Sequence, residues 1–193
     1  MKNGNKKIYL KAKSYKLTAV VGFSIIELMV VISIIGIMSS LMFANYRQGE
    51  RDTALEYAAQ QIAQDIRQAQ NLSLAGPINT YGYGIYFDKN KESEYFIYGD
   101  EGVQNANHQY EGDEGNDKKV IPYLIVLPTN IEINNITVSP VGDVADIFFA
   151  PPDPITYING VSGVGTAEIE ICFTTISKCK TIVVTTAGRV EVE

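Results

Sequence analysis

The chain has 193 residues, 22 of them acidic and 16 basic, for a formal net charge of −6, and 46% of its residues are hydrophobic. This length corresponds to one domain of ordinary size, and the composition is that of a globular protein. Six lysines and no acid precede residue 23, which leaves 10 basic residues against 22 acidic ones in the remainder. Such an acidic surface repels phosphate and argues against general nucleic-acid binding.

The first predicted element is an apolar helix. From Phe23 to Ala44 the chain has 22 residues, of which only Glu27 is charged. About 20 mostly apolar residues are enough to cross the hydrocarbon core of a membrane. The lysines before the segment orient its N-terminus towards the cytoplasm. A secretory signal has its small-residue cleavage site after the apolar core, whereas here the small residue, Gly22, comes before it.

The stretch "GFSIIELMVVISIIG", which begins at Gly22, resembles the N-terminal signature of type IV pilins and type II secretion pseudopilins. The resemblance implies that a membrane-bound prepilin peptidase cuts between Gly22 and Phe23 and that Phe23 is then N-methylated. It also implies that the helices assemble into the core of a filament. The expected organisation is a basic leader at 1–22, a transmembrane and filament-core helix at 23–44, an amphipathic continuation at 45–76 and a β-rich head at 77–193.

Two residues of the apolar segment are unexpected in a plain membrane helix: the charged Glu27 and the helix-weakening Gly36. Ionisable residues inside membranes are expensive and usually paired. Cleavage would create an amine on Phe23, which Glu27 of a neighbouring subunit could neutralise, and a buried ion pair can fix register. The alternative is a carboxylate at the level of the lipid headgroups in a plain anchor. Glycine within a helix costs about 1 kcal/mol relative to alanine, so Gly36 is either a weak point that loosens on assembly, as in the resembled family, or a close-packing contact.

The pattern after Ala44 becomes amphipathic. One helical face carries residues at spacings of three and four, which is typical of a helix packed on a core: Leu55, Ala58, Ile62, Ile66, Ala69 and Leu72. Gly76 and Pro77 predict the end of the helix. A continuous helix from Ser24 to Ala75 would be about 78 Å long and would form one rigid unit with the head.

The remainder predicts an antiparallel β head, and the fold class is therefore α+β, with a long N-terminal helix packed on a sheet; the resemblance implies that this fold is pilin-like. Aromatic-rich strands at 81–88 and 93–100 flank a hairpin turn, and 101–119 is predicted to be an exposed loop. Further strands are predicted at 123–126, 131–138, 146–149, 168–174, 181–185 and 190–193, with a turn at 150–154. Cys172 and Cys179 would bracket a loop between two strands, either as a disulfide or as two free thiols.

The segment from Arg51 to Gly76 and the closing Gly188-Arg189 turn resemble the GspH/FimT group of minor pseudopilins. The proline that many major pilins carry after the apolar run is missing, which favours a minor component. Some FimT-like proteins bind DNA through a basic C-terminal motif, and a DNA-uptake pilin is the alternative function. Arg189 is the candidate contact, but it is followed by Glu191 and Glu193, so nucleic acid is not an expected partner.

No pattern of residues indicates catalysis, a cofactor or a metal site. His108 lies in a polar stretch and is predicted to be a solvated loop residue rather than a base. The acids Asp113, Glu114 and Asp117 could supply oxygen ligands to Ca²⁺, but they do not form an EF-hand pattern, so a solvated acidic loop is expected. Seven aromatic residues are expected to pack within the sheet rather than to form a stacking surface for sugars or bases: Tyr81, Tyr83, Tyr86, Phe87, Tyr95, Phe96 and Tyr98.

These observations together predict a non-enzymatic filament subunit, most like a minor pseudopilin. Its expected partners are other pilins or pseudopilins, the prepilin peptidase and N-methyltransferase, an inner-membrane assembly platform, and membrane lipid before assembly. It would cross the inner membrane once, with the N-terminus in the cytoplasm and the head outside it.

Overall fold

The computed structural model describes residues 22–75, 80–101, 108–112, 117–120, 124–139, 142–153, 155–175 and 178–193. The fold is α+β, with one N-terminal helix and antiparallel sheets. The chain divides into two compact units, Met1–Ala44 and Asn45–Glu193. The leader before Gly22 and the predicted helix stop at Gly76 and Pro77 lie outside the described residues.

Helix α1 (Ile25–Leu74) contributes to both units. No proline interrupts its 50 residues, so its backbone hydrogen bonds can continue without a break. In the first unit, every side chain described from Gly22 to Met42 is exposed. In the second unit, the predicted apolar face is confirmed: Leu55, Ala58, Ile62, Ile66 and Ala69 are at most 2% exposed, and Leu72 packs at the edge of the same core.

The head contains two antiparallel sheets. The larger follows the order β3-β2-β1-β6-β7-β8, with β4 also paired to β2, and the smaller follows β11-β10-β9-β5. The strands of the larger sheet are β1 (Gly82–Asp88), β2 (Glu94–Asp100), β3 (Asp117–Lys119), β4 (Ile125–Val126), β6 (Val144–Ala150), β7 (Ile155–Ile158) and β8 (Val161–Ser162). Those of the smaller sheet are β5 (Ile131–Val138), β9 (Thr166–Phe173), β10 (Cys179–Thr185) and β11 (Val190–Val192).

The main core lies where the apolar face of α1 meets the inner faces of both sheets. Strand residues of alternate positions point into it, as the two-residue period of a strand requires. The larger sheet supplies Ile85, Phe87, Tyr95, Ile97, Ala145, Ile147, Phe149 and Ile158, and the smaller supplies Ile131, Ile133, Ile136, Val138, Ala167, Ile169, Ile171, Ile182, Val184 and Val190.

Polar contacts attach α1 to each sheet. The buried Ser73 hydroxyl donates to the Phe149 carbonyl at 2.8 Å and accepts from the Tyr83 amide at 2.9 Å. The Tyr95 hydroxyl donates to the Asp65 carboxylate at 2.6 Å. On the smaller sheet, Arg67 donates to the Val190 carbonyl at 3.2 Å. Because these bonds join fixed points of the helix and the strands, they hold the helix along its axis as well as against the sheets.

The outer face of the larger sheet is also buried, which the sequence did not predict. Phe96, Tyr98 and Phe148 form a second apolar cluster there, with Tyr86, Tyr110, Ala150 and Tyr157 packed around it. The expectation that the aromatic residues pack within the sheet holds for Phe87, Tyr95, Phe96 and Tyr98, which are buried, whereas Tyr83 and Tyr86 are partly buried and Tyr81 is exposed.

The predicted exposed loop at 101–119 is wrong in two places. Residues Asp117–Lys119 form β3, which pairs with β2. The segment 108–112 covers the outer aromatic cluster, where Tyr110 contacts the rings of Tyr86, Phe96 and Tyr98. The strands β7 and β8 were also not predicted, because they are only four and two residues long and are separated by the Asn159-Gly160 turn.

Gly84 makes room for the Tyr98 ring on the outer face. A Cβ built at Gly84 would lie 2.5 Å from that ring. We expect Gly84→Ala to lower the free energy of unfolding by about 1–3 kcal/mol, since the ring must leave its rotamer or the strands must separate. Denaturant unfolding of the full chain in detergent, followed by tyrosine near-ultraviolet circular dichroism, measures the change.

Gly36→Ala is the matched control, because a Cβ there meets no atom within 4 Å. Its unfolding midpoint should not fall. An unchanged midpoint for Gly84→Ala would show that the Tyr98 ring is not held against β1.

Candidate functional site

The predicted processing residues lie at the start of the described part of the first unit. Gly22 is exposed, and a Cβ built on it meets no atom within 4 Å. Phe23 is 79% exposed. Both precede the first helical residue, Ile25, and the Leu28 amide donates to the Ser24 carbonyl at 3.1 Å. The peptide bond between Gly22 and Phe23 is therefore non-helical and uncovered by any residue described, as a protease substrate must be.

Glu27 lies in the first turn of α1. Its side chain is exposed, and within the described ranges no cation pairs with it. Four backbone N–H groups at a helix N-terminus lack intrahelical partners, and a negative charge there contributes about 0.3–1 kcal/mol. Ser24 and Glu27 also have the spacing of a capping box, S-x-x-E, which sequence reasoning missed. This local role and a role in assembly are compatible, since both use a carboxylate at the same end of the helix.

One window of the described chain, Ile25–Met42, is long and apolar enough to cross a membrane by its length and composition. None of it is buried inside the protein. Gly36 lies within this window and touches nothing beyond its own helix that a Cβ would meet within 4 Å. Among the residues described, none packs against this surface or against Gly36.

A second set of ionisable residues is buried on the outer face of the larger sheet. Asp146 on β6 is 3% exposed. Its carboxylate accepts from the Tyr98 hydroxyl at 2.7 Å and from the Tyr110 amide at 2.5 Å. Burial raises the pKa of the Asp146 carboxyl to about 7, although the Tyr98 and Tyr110 donors act to lower it. Asp146 thus titrates near neutrality while it holds the segment 108–112 on the sheet.

Asp117 on β3 also holds the segment 108–112 on the sheet. It is buried, and its carboxylate accepts a hydrogen bond from the Glu111 amide. Burial raises the pKa of the Asp117 carboxyl to about 6; the Glu111 amide opposes the rise, and the charges of Asp100 and Glu111 add to it. The expectation of a solvated acidic loop is therefore wrong for Asp117, because its strand pairing turns it under the segment 108–112. Asp113 and Glu114 lie outside the described residues.

His108 is not the solvated loop residue that its polar neighbours predicted. It is partly buried, and its ring lies with its centroid 3.9 Å from that of Tyr157 and edge-on to Phe148 at 5.2 Å. No base–nucleophile pair accompanies it among the residues described. The His108 ring therefore covers the rings of Phe148 and Tyr157, which would otherwise face water.

The cations considered for DNA binding are each paired with an acid. Lys178 contacts Asp52 at 2.6 Å, Lys180 contacts Glu56 at 3.3 Å, and Arg189 pairs with Glu191. Glu56 has its pKa lowered by hydrogen bonds from Gln60 and Lys180 and by the Lys180 charge. Binding to phosphates depends on clustered cations that release counterions, and these pairs reduce the positive charge available.

Cys172 and Cys179 are joined in a disulfide. They are directly opposite on β9 and β10, and their Cα atoms are 4.1 Å apart. The Phe173 amide donates to the Lys178 carbonyl, so the cysteines occupy the adjacent non-hydrogen-bonded pair, where opposite side chains are closest. The bridge closes the loop between the two strands.

No family model matches this chain, and no curated protein or solved structure matches it either. Its function therefore has to be argued from its own residues.

Asp146 is a buried, hydrogen-bonded carboxylate that sequence reasoning missed. The run "VADIFFA" contains one acid among six apolar residues, and an isolated carboxylate in an apolar strand is a sign of a buried, hydrogen-bonded group. The pattern does not show what contacts that carboxylate, because Tyr98 and Tyr110 come from distant parts of the chain.

The raised pKa of Asp146 predicts that the free energy of unfolding of the head depends on pH. A folded pKa near 7, above the ordinary value of 3.8, means that the folded head binds the proton more tightly than the unfolded chain. The resulting stabilisation is complete below pH 3.8 and is lost as pH rises towards 7, at about 1.4 kcal/mol for each pH unit. We expect Asp146→Asn to have a shallower decline in the free energy of unfolding between pH 5 and pH 8 than the unmodified chain.

Asp153→Asn removes an exposed carboxylate from the turn after the same strand and serves as control. Chemical denaturation at each pH supplies the free energies. Parallel pH profiles for Asp146→Asn and the unmodified chain would contradict the raised pKa.

Proposed function

We propose that this chain is a membrane-anchored, peptidase-processed subunit of a type IV pilus or type II secretion pseudopilus, and that it is a minor component similar to the GspH/FimT group. The observation that carries the proposal is the arrangement at the N-terminus. A glycine–phenylalanine bond that no described residue covers precedes the apolar segment 23–44, whose only carboxylate lies four residues after the phenylalanine.

The exposed apolar surface between Phe23 and Met42 indicates that lipid or other helices cover it. Fourteen large hydrophobic side chains between Phe23 and Met42 are exposed. Burying each gains about 1.5–3 kcal/mol, so covering them all is worth on the order of 20–40 kcal/mol. Soluble monomers do not leave so large an apolar surface in water. A membrane covers it before assembly, and the same surface on neighbouring subunits covers it afterwards.

Glu27 distinguishes a filament subunit from a simple anchor. A carboxylate near the bilayer centre costs about 2.5–3.5 kcal/mol on insertion scales, which the apolar residues outweigh roughly tenfold. Insertion therefore does not need Glu27 and is not prevented by it. In a filament, the carboxylate would meet the new amine of Phe23 on an adjacent subunit, and the pair would select one axial stagger over others.

The head supports a structural role. Polar groups of the head serve its architecture: Ser73 and Asp65 bond the helix to the larger sheet, and Asp146 bonds to Tyr98 within that sheet. The acids paired with Lys178, Lys180 and Arg189 do not favour the alternative of a DNA-binding pilin. In this proposal the head decorates the filament and contacts neighbouring pseudopilins or cargo.

Processing is tested by co-expressing the full chain with a prepilin peptidase and N-methyltransferase. We expect the mature protein to begin at a methylated Phe23, as determined by intact mass and N-terminal peptide mass spectrometry. Gly22→Leu should retain the leader, because a large side chain then occupies the residue before the cut. Gly36→Ala should be processed normally. A mature N-terminus at another residue would disprove the assignment of Gly22 and Phe23.

Assembly is tested with Glu27→Leu in cells that hold the complete filament machinery. We expect the variant to fractionate with the membrane as the unmodified chain does and to fall at least tenfold in sheared filaments, because the charge that sets register is missing. Glu50→Gln changes another exposed acid of the same helix beyond the apolar window and should enter filaments normally. Normal incorporation of Glu27→Leu would reduce Glu27 to its local role at the helix end.

A further inference from the structure

The outer face of the smaller sheet carries a row of metal-ligating side chains that the proposed function does not use. Cys172 on β9 lies between two cross-strand neighbours, Cys179 on β10 and Glu132 on β5. Glu170 precedes Cys172 by two residues and therefore shares its face of the sheet. The two cysteines and Glu132 line one cleft of about 450 Å³.

We propose that, when the disulfide is reduced, Cys172, Cys179 and Glu170 form a binding site for a thiophilic divalent cation, of which Zn²⁺ is the type. The Cys172 Sγ and Glu170 Oε1 atoms are 3.4 Å apart, and one ligand atom of each of the three residues lies within 4.8 Å of the others. Thiolate and carboxylate ligands are the ones that zinc binds, at about 2.3 Å and 2.0–2.2 Å.

The geometry needs little change to accept an ion. Two sulfurs bound to one tetrahedral zinc are about 3.8 Å apart, as the Zn–S distance requires. The Cα atoms of the two cysteines are already 4.1 Å apart on paired strands, so rotation about the Cα–Cβ bonds can separate the sulfurs while the strands stay paired. Glu170 supplies the third ligand from the present backbone, and Glu132 or water can complete the tetrahedron.

The sulfurs of Cys172 and Cys179 can be in one of two states, a disulfide or a pair of thiolates bound to the metal ion. A dithiol reductant breaks the S–S bond by exchange, which gives two protein thiols and the oxidised, cyclic form of the reductant. Binding of Zn²⁺ then displaces both thiol protons and forms two Zn–S bonds, with no further redox change. Cys179 is exposed and Cys172 is partly buried, so a reductant and an ion can both reach the site. Oxidation and metal binding exclude each other.

The cysteine spacing did not indicate this site, because six residues separate Cys172 from Cys179 and short zinc motifs use closer spacings. The pairing of β9 with β10 removes that separation.

Co²⁺, which replaces zinc and absorbs light when bound to thiolate, provides the test. The full chain in detergent is titrated before and after reduction with a phosphine, which is then removed together with any metal. We expect the reduced chain to bind one Co²⁺ with a thiolate-to-cobalt charge-transfer band, to exchange it for Zn²⁺, and to resist reoxidation while it is loaded. The oxidised chain should show no such band.

Three variants assign the ligands. Cys172→Ser should lose the band, and Glu170→Gln should weaken binding by about tenfold or more. Glu168→Gln, on the same face of β9 but outside the cluster, should bind as the unmodified chain does. The inference is overturned if Glu170→Gln binds normally, if the reduced chain binds Co²⁺ without the charge-transfer band, or if reduction alone abolishes the far-ultraviolet β signal before metal is added.

Discussion

The packing of one narrow helical face against two sheets at once is the constraint on which the head depends. Ala58, Ala59, Ala63 and Ala69 are fully buried on α1, and their small size lets both sheets approach the helix axis closely. The inner faces of the two sheets share this cover, so each of these faces depends on the helix for its burial. Larger side chains at the alanine positions would force the sheets apart, and smaller ones at Ile62 and Ile66 would leave cavities that cost several kcal/mol.

The larger sheet differs from the smaller one because it is covered on both faces. Its second cover includes the segment 108–112, which has no regular structure. Two backbone amides of that segment bond to buried carboxylates on β6 and β3, and its rings lie on aromatic residues of β1 and β2. Irregular backbone under a protein surface needs such partners, since its N–H groups have no strand to pair with. The acids are therefore structural parts of the sheet rather than a solvated patch.

The sequence predicted the elements that depend on a local period. The apolar face of α1 and the hairpin of β1 and β2 follow spacings of 3.6 and 2 residues, which are visible without knowing what covers them. Asp117, His108 and Asp146 were misjudged or missed because their surroundings come from other strands. A polar stretch such as "NANHQY" reads as a solvated loop until the aromatic face beneath it is known. The N-terminal signature is also local, and it predicts a function from spacing alone; the structure adds that none of the described residues covers it.

The order of synthesis has a consequence for the core. The apolar face of α1 leaves the ribosome before any strand, yet many of its partners are on β9, β10 and β11, close to the end of the sequence given. Those strands pair with near neighbours in the chain and can form quickly as a three-stranded meander. The helix face, in contrast, is not completely covered until about 120 further residues have been made, although β1 and β2 follow it closely in the chain. Alanine-rich faces tolerate such a delay better than leucine-rich ones, since each alanine exposes little apolar surface to mispairing. The buried alanines that let the sheets approach the helix therefore also limit the apolar surface that the helix exposes before the last strands have been made.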